Sequence, residues 1–346
     1  MRKLFGICVM ALGLAAAIGN TVVAESLVFE GKDGPGKGKK VVLISGDEEY
    51  RSEEALPMLG KILSQRHGFT CTVLFPIDPE KGYIDPNNQQ NIPGLDALDD
   101  ADLMIVATRF RTPSEEAMKP FDRYLEAGKP VIGLRTATHG FQGKWSFFGL
   151  QILGEKWVAH HGGHKREGCR GVIEEANAGH PVLNSVKDVF APSDVYTVRN
   201  LDEKKATVLL RGAVTATLDP ASEAIDGPKN NPLQALAWLR EYTAPNGVKG
   251  YAFCTTMGAA VDLVSADARR LVVNAAYHLT GLEVPKAANV DFVDPFYPSF
   301  YGFVKDKQFW IDRNLKPQDF ALGKSPVAKD PNGSPDWPFR KMGPAE

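Results

Sequence analysis

The sequence predicts an α/β protein with a mainly parallel sheet covered by helices on both faces. Short, wholly apolar runs recur through the first half of the chain, as strands buried on both sides require. Single stretches of helical spacing separate these runs, which implies right-handed crossovers between parallel strands. The composition agrees: 346 residues, 43% hydrophobic and 24% charged, can bury a sizeable core.

At the N-terminus, Arg2 and Lys3 precede an uncharged stretch from Leu4 to Ala24 that ends in Val22, Val23 and Ala24. That is the order of a secretory signal peptide. Residues 1–24 are expected to be removed on export to a bacterial periplasm or the exterior rather than kept as an anchor. No later run is long and apolar enough to span a bilayer, so no membrane contact is expected after removal. Residues 25–39, glycine-rich from Gly31 to Gly38, read as a flexible entry segment.

Residues 40–46 form the first expected strand. Leu56, Leu59, Ile62 and Leu63 then recur at helical spacing over 53–66, and His67-Gly68-Phe69 supplies the stop. Further strands are expected at 69–75, 101–108 and 129–134. The helix over 113–127 has Pro113 in its first turn and Gly128 past its end. Residues 170–174, 206–211, 234–239 and 249–254 are less regular strand candidates, and 265–280 is a closing helix. From Val284 the pattern stops. Residues 284–346 form an irregular, Pro-rich C-terminal extension carrying Phe292, Phe296, Tyr297, Phe300, Tyr301, Phe303, Phe309 and Trp310. So many aromatics do not suit a free tail; the extension should wrap the domain or mediate a homo-oligomer.

Forty Lys plus Arg against 42 Asp plus Glu leave a net charge of -2, which gives no basic face for nucleic acid. After export, Cys71, Cys169 and Cys254 remain; an odd, widely spaced set is no disulfide framework and reads as buried thiols. Gly31 to Lys37 nearly spells a phosphate loop, but Gly38 replaces the required hydroxyl residue and the stretch precedes its strand. There is no G-x-G-x-x-G after a strand and no G-x-S-x-G elbow. No nucleotide cofactor and no serine-hydrolase mechanism are expected.

Open α/β sheets bind ligands beyond the carboxyl ends of their strands. There the sequence places Asp47, Glu48 and Glu49, then Arg109 and Arg111, then Arg135, Thr136 and His139. A charge directly after a buried strand must find a carboxylate or a ligand. Four of the seven histidines lie between His139 and His164, three of them in His160-His161-Gly162-Gly163-His164. The two glycines argue against a helical pair. A loop can still hold a divalent metal such as zinc through His160, His161 and His164, or supply an acid/base group near neutral pH. Asp194, in Pro192-Ser193-Asp194-Val195-Tyr196, is the carboxylate best able to complete either site. His67, His180 and His278 read as structural.

Over about residues 40–283 the chain resembles the trehalose-utilisation (ThuA-like) family. The resemblance rests on Val41 to Ser45, on Gly133-Leu134-Arg135-Thr136-Ala137-Thr138-His139, on the His160–His164 loop, and on His180-Pro181, Asp194-Val195-Tyr196 and Trp238 leading to Thr255-Thr256-Met257-Gly258. It implies a flavodoxin-like three-layer sandwich of the class I glutamine amidotransferase type. It also implies a role in carbohydrate catabolism, on a sugar or disaccharide that includes the 3-keto class. Where true amidotransferases carry their nucleophilic cysteine this chain has Arg135, so no cysteine-dependent amidotransferase activity is expected. On this reading His139, His161, His164 and Asp194 are the acid/base groups, with Asp194 orienting the histidine. Asp47, Glu48, Arg109, Arg135, Thr136, Tyr196, Thr255 and Thr256 contact the sugar, Arg135 and Arg109 clamping a carbonyl or carboxylate oxygen. A non-catalytic exported module that binds a glycan or a partner, and a metal-dependent hydrolase, are the alternatives.

Overall fold

The computed structural model describes residues 26–327 and 329–336; the expected export signal at 1–24 lies outside them. Ten strands form one sheet: β1 (Leu27–Phe29), β2 (Lys40–Gly46), β3 (Thr70–Leu74), β4 (Leu103–Thr108), β5 (Val131–Leu134), β6 (Cys169–Ile173), β7 (Val189–Ala191), β8 (Ala206–Val214), β9 (Gln234–Thr243) and β10 (Lys249–Thr255). Their spatial order is β1-β3-β2-β4-β5-β10-β9-β8-β6-β7.

Side chains alternate across this sheet into two cores. Val41 and Leu43 of β2, with Leu103 and Ile105 of β4, pack beneath α1 (Ser52–His67) and α3 (Ala266–Leu279). Val42 and Ile44, with Met104 and Val106, pack on the other face against α2 (Glu115–Glu126) and the wide helical turn Phe148–Leu153. The wholly apolar runs are therefore strands with both faces covered. α1 stops where Gly68 turns left-handed (φ 85°) and its N–H reaches the carbonyls of Leu63 and Ser64. In α2, Ser114 is the cap, accepting from the N–H of Ala117. Pro113 thus stands just before the helix rather than in its first turn.

The expectation of a mainly parallel sheet is corrected to a mixed one. β3-β2-β4-β5-β10 run parallel, whereas β10-β9-β8-β6-β7 and the β1-β3 pair are antiparallel. The cause lies in the connections: parallel neighbours need a crossover of a dozen residues or more, and only Ala244 to Val248 separates β9 from β10. The expected flexible entry segment, 25–39, is also corrected, since Leu27–Phe29 forms β1. Leu27 and Phe29 are buried while Val28 faces out, a period of two too short to register in the sequence.

The C-terminal extension lies over α1 and α3. Val284, Val290, Phe296, Phe300 and Tyr301 are buried in the same core, and Phe320 stacks on Phe75 with ring centres 5.8 Å apart. It carries one further helix, α4 (Lys307–Arg313), with Trp310 buried. Ser299 donates from both its N–H and its hydroxyl to Glu54 on α1, each at 2.8 Å. Among the described residues no helix is long and apolar enough to cross a membrane.

Phe300→Ala removes a fully buried ring and is expected to cost about 3–5 kcal/mol in urea unfolding. Burial and the neighbouring Glu53 push the Glu54 carboxyl up to about 7, against Arg51, Arg313 and the Ser299 N–H. The unfolded chain releases that proton near 4.5, so between about pH 4.5 and 7 the folded state holds more protons and stability falls as pH rises. Glu54→Gln should flatten that fall in unfolding curves compared across the window, and an unchanged slope would refute the assignment.

Candidate functional site

The loops after β2, β4, β5 and β10 meet at one edge of the sheet, as the parallel half requires. After β2, the Asp47 carboxylate accepts from the N–H groups of Glu49 (2.7 Å) and Tyr50 (3.0 Å), and the Ser52 hydroxyl accepts from those of Gly46 and Asp47. These bonds reverse the chain and hold Glu48, Glu49 and Tyr50 at the edge. The other Asp47 oxygen accepts from the Thr136 hydroxyl at 2.5 Å, joining this loop to the one after β5.

Arg135 begins that second loop in a left-handed conformation (φ 41°) and is 1% exposed. Its guanidinium donates to the carbonyls of Asp194 (3.1 Å) and Thr256 (2.8 Å), to the Tyr50 hydroxyl (3.2 Å) and to Asp194 Oδ1 (3.1 Å). The Tyr50 and Tyr196 rings each lie 4.2 Å from it. Burial opposes its charge, but Tyr196, Tyr50 and Asp194 outweigh burial and hold the guanidinium firmly protonated.

Asp194, also 1% exposed, faces two imidazoles: His160 Nδ1 lies 2.7 Å from Oδ2, and His164 Nδ1 lies 3.2 Å from Oδ1. Burial favours the neutral acid, yet the hydrogen bonds from His160 and His164 and the charge of Arg135 hold this carboxyl well below the usual range. The opposite edge of His164 approaches Glu49, with Nε2 to Oε1 at 3.5 Å. Burial and Asp47 push Glu49 up to about 7, opposed by Arg109, Arg135 and His160. Tyr301 of the extension stacks on Tyr50 (5.0 Å) and borders His164 (5.2 Å), while its hydroxyl accepts from the Lys165 N–H.

The expected residues divide sharply. His164 and Asp194 meet as acid/base candidates, but the His161 ring turns away, its Nε2 lying 2.6 Å from the Lys229 carbonyl oxygen. The expected metal set His160, His161 and His164 is corrected accordingly: potential ligand atoms of His160, His164 and Asp194 all lie within 4.8 Å of one another. His139 is held neutral, pushed down to about 3 by burial and by Arg109, Arg135 and His160, which makes it a poor base near neutral pH. Of the eight expected sugar contacts only Arg109 keeps appreciable exposure, with 20% of its side chain accessible. Asp47, Thr136 and Thr256 are buried in the turns and Thr255 at the end of β10, and Glu48 is pinned between Arg109 and Arg111. Arg135 is likewise no clamp, since both its terminal nitrogens are engaged internally. The first residues after a buried strand lie beneath the loop rather than on it.

Glu49, placed at this edge by the sequence but given no role there, belongs to the cluster, as do Tyr50 and Tyr301, which the sequence reading gave no site role. Tyr50 follows the acidic run directly, a detectable signal. Tyr301 is one of many aromatics in the extension and nothing local marks it. The cysteines are absent from the site: Cys71, Cys169 and Cys254 are buried, and burial pushes all three thiols up, out of nucleophilic range.

Arg135→Ala would strand Asp194 as a buried charge and empty the space between two tyrosine rings. A loss of about 3–5 kcal/mol is expected in urea unfolding, whereas a loss under about 1 kcal/mol would mean the pair is not structural.

A model of the trehalose-utilisation family matches residues 40–278. No curated protein matches the chain. Among solved structures, a ThuA-like protein from Bacteroides uniformis is similar at 14% identity and a TM-score of 0.45, covering 72% of this chain and 95% of that one. A ThuA-like protein from Parabacteroides merdae is similar at 15% identity and a TM-score of 0.48, covering 72% of this chain and 93% of that one. Since the family match spans well over half of the sequence and includes every loop at this edge, the chain belongs to the trehalose-utilisation (ThuA) family.

Proposed function

We propose that this protein is exported and acts on a carbohydrate carrying a ketone, a 3-keto sugar or disaccharide, by acid/base catalysis without amidotransferase chemistry. The observation that carries the proposal is the Asp194 carboxylate, kept ionised by hydrogen bonds from the Nδ1 atoms of His160 and His164 and by the charge of Arg135. This arrangement fixes the tautomer, leaves Nε2 as the proton acceptor, and stabilises the imidazolium that forms. His160 and His164 are partly exposed, at 33% and 29% of their side chains, so a substrate can reach them.

In this mechanism His164 Nε2 removes a proton from the carbon beside the keto group. Glu49, 3.5 Å away and poised near 7, accepts or returns that proton. Arg109, held by Glu48 at 2.5 Å, faces the negative charge that develops on the carbonyl oxygen. Asp194 and Arg135 touch no substrate; they position the imidazoles.

A second reading is supported by the His160, His164 and Asp194 atoms lying within 4.8 Å, a two-nitrogen, one-oxygen set suited to zinc. The guanidinium 3.1 Å from Asp194 already balances the carboxylate's charge, which favours the metal-free mechanism.

His164→Ala should lower turnover of 3-keto disaccharides by about a hundredfold to ten-thousandfold. Undiminished turnover in that variant, or none by the wild type on any such sugar, would sink the acid/base mechanism. Elemental analysis of the purified protein decides the second reading: one tightly held zinc per chain, lost in His160→Ala together with activity, would replace the first.

A further inference from the structure

Seven side chains, His160 and His164 among them, approach one another in succession and close on themselves. Trp157 lies 5.8 Å from His160 between ring centres, His160 4.4 Å from His164, and His164 Nε2 3.5 Å from Glu49. Glu49 lies 3.5 Å from Arg109 Nε, Arg109 is 4.8 Å from the Phe110 ring, Phe110 is 4.9 Å from His139, and His139 is 5.5 Å from Trp157. Tyr196, almost wholly buried, borders both His139 (6.5 Å) and His160 (5.6 Å) and so lies beneath the ring. Phe303, from the extension, also lies against Arg109, its ring centre 4.9 Å from the guanidinium.

The circuit has two halves of opposite chemistry. His160, His164, Glu49 and Arg109 supply charge and hydrogen bonding. Trp157, Phe110, the neutral His139 and the adjoining Phe303 supply aromatic surface. Trp157 is 39% exposed and Phe303 is 42% exposed. Single exposed apolar residues are ordinary, but these two border the same carboxylate–imidazole cluster from different loops. A pyranose has the matching division: an apolar face of axial C–H bonds and an edge of hydroxyls.

We infer that Trp157 is the stacking platform for the C–H face of a pyranose ring, with Phe303 beside Arg109 receiving the second ring of a disaccharide. The inference rests on the carbohydrate reading above and deepens it. With one ring flat on Trp157, its hydroxyl edge and oxidised carbon face His160, His164 and Glu49. Neither aromatic takes part in proton transfer; both set position and specificity.

The test uses the full chain, with trehalose, sucrose, lactose and cellobiose, their 3-keto forms and glucose, in calorimetry and steady-state kinetics. Trp157→Ala should weaken binding of the preferred disaccharide, and raise its KM, by about tenfold or more while kcat stays within about twofold. Trp157→Phe should restore most of that loss, and sugar binding should alter tryptophan fluorescence in the wild type but far less in Trp157→Phe. Phe303→Ala should weaken disaccharides while leaving glucose unchanged. Wild-type affinity and KM in Trp157→Ala would overturn the platform and leave the acid/base mechanism standing. Trp157-dependent binding without any turnover would support the platform and overturn that mechanism. Absence of binding to every sugar in the panel would overturn both.

Discussion

The site depends on one buried ion pair. Arg135 and Asp194 are each 1% exposed and sit 3.1 Å apart, and the cost of desolvating two charges is offset by partners at both terminal nitrogens of the guanidinium, though not at its Nε. The partners come from four places: the Tyr50 hydroxyl after β2, the Thr256 carbonyl after β10, the Asp194 main chain, and the aromatic faces of Tyr50 and Tyr196. One guanidinium therefore ties together loops far apart in sequence. The charge of Arg135 also adds to the hydrogen bonds of His160 and His164 in keeping Asp194 ionised between the two imidazoles.

A second tie brings in the extension, which lies outside the span matched by the family. Gly302 donates its N–H to the Glu49 carbonyl at 2.7 Å, Arg51 donates to the Gly302 carbonyl, and Ser299 donates twice to Glu54. Tyr301 is thereby set against Tyr50 and His164, and Phe303 against Arg109. The extension thus completes one wall of the edge where the strand loops meet. Phe296, Phe300, Tyr301 and Phe320 are buried in the domain's own core, which covers part of the aromatic surface that the composition argument concerns.

The turn after β5 shows how one frame can host different chemistry. In glutamine amidotransferases, which the family resembles in fold, this turn presents a nucleophile. Here Arg135 takes the left-handed position and points inward, where it organises the site rather than reacting. The reactive groups on the proposed mechanism sit one step further out, on the His160–His164 loop and on Glu49. The exposed aromatics beyond them belong to the same outer shell.

The sequence by itself determined the α/β class, the central strands and the three main helices, because apolar runs and helical spacing are local consequences of burial. It also pointed to the sheet edge where these loops meet, and to Asp194 and His164, which lie in hydrogen-bond contact there. It missed β1 and β7, three residues each, since so short an alternation cannot stand out from its surroundings. It could not show that β9 and β10 run antiparallel to each other, against the expectation of a mainly parallel sheet. Nor could it show that His161 faces the Lys229 carbonyl while its neighbour His160 faces Asp194. Those outcomes, like the inward course of Arg135 and the arrival of Tyr301, were decided only by the tertiary structure. The physical reason is that a side chain's type can be read along the chain, but its partner depends on which distant segments burial brings within hydrogen-bonding reach.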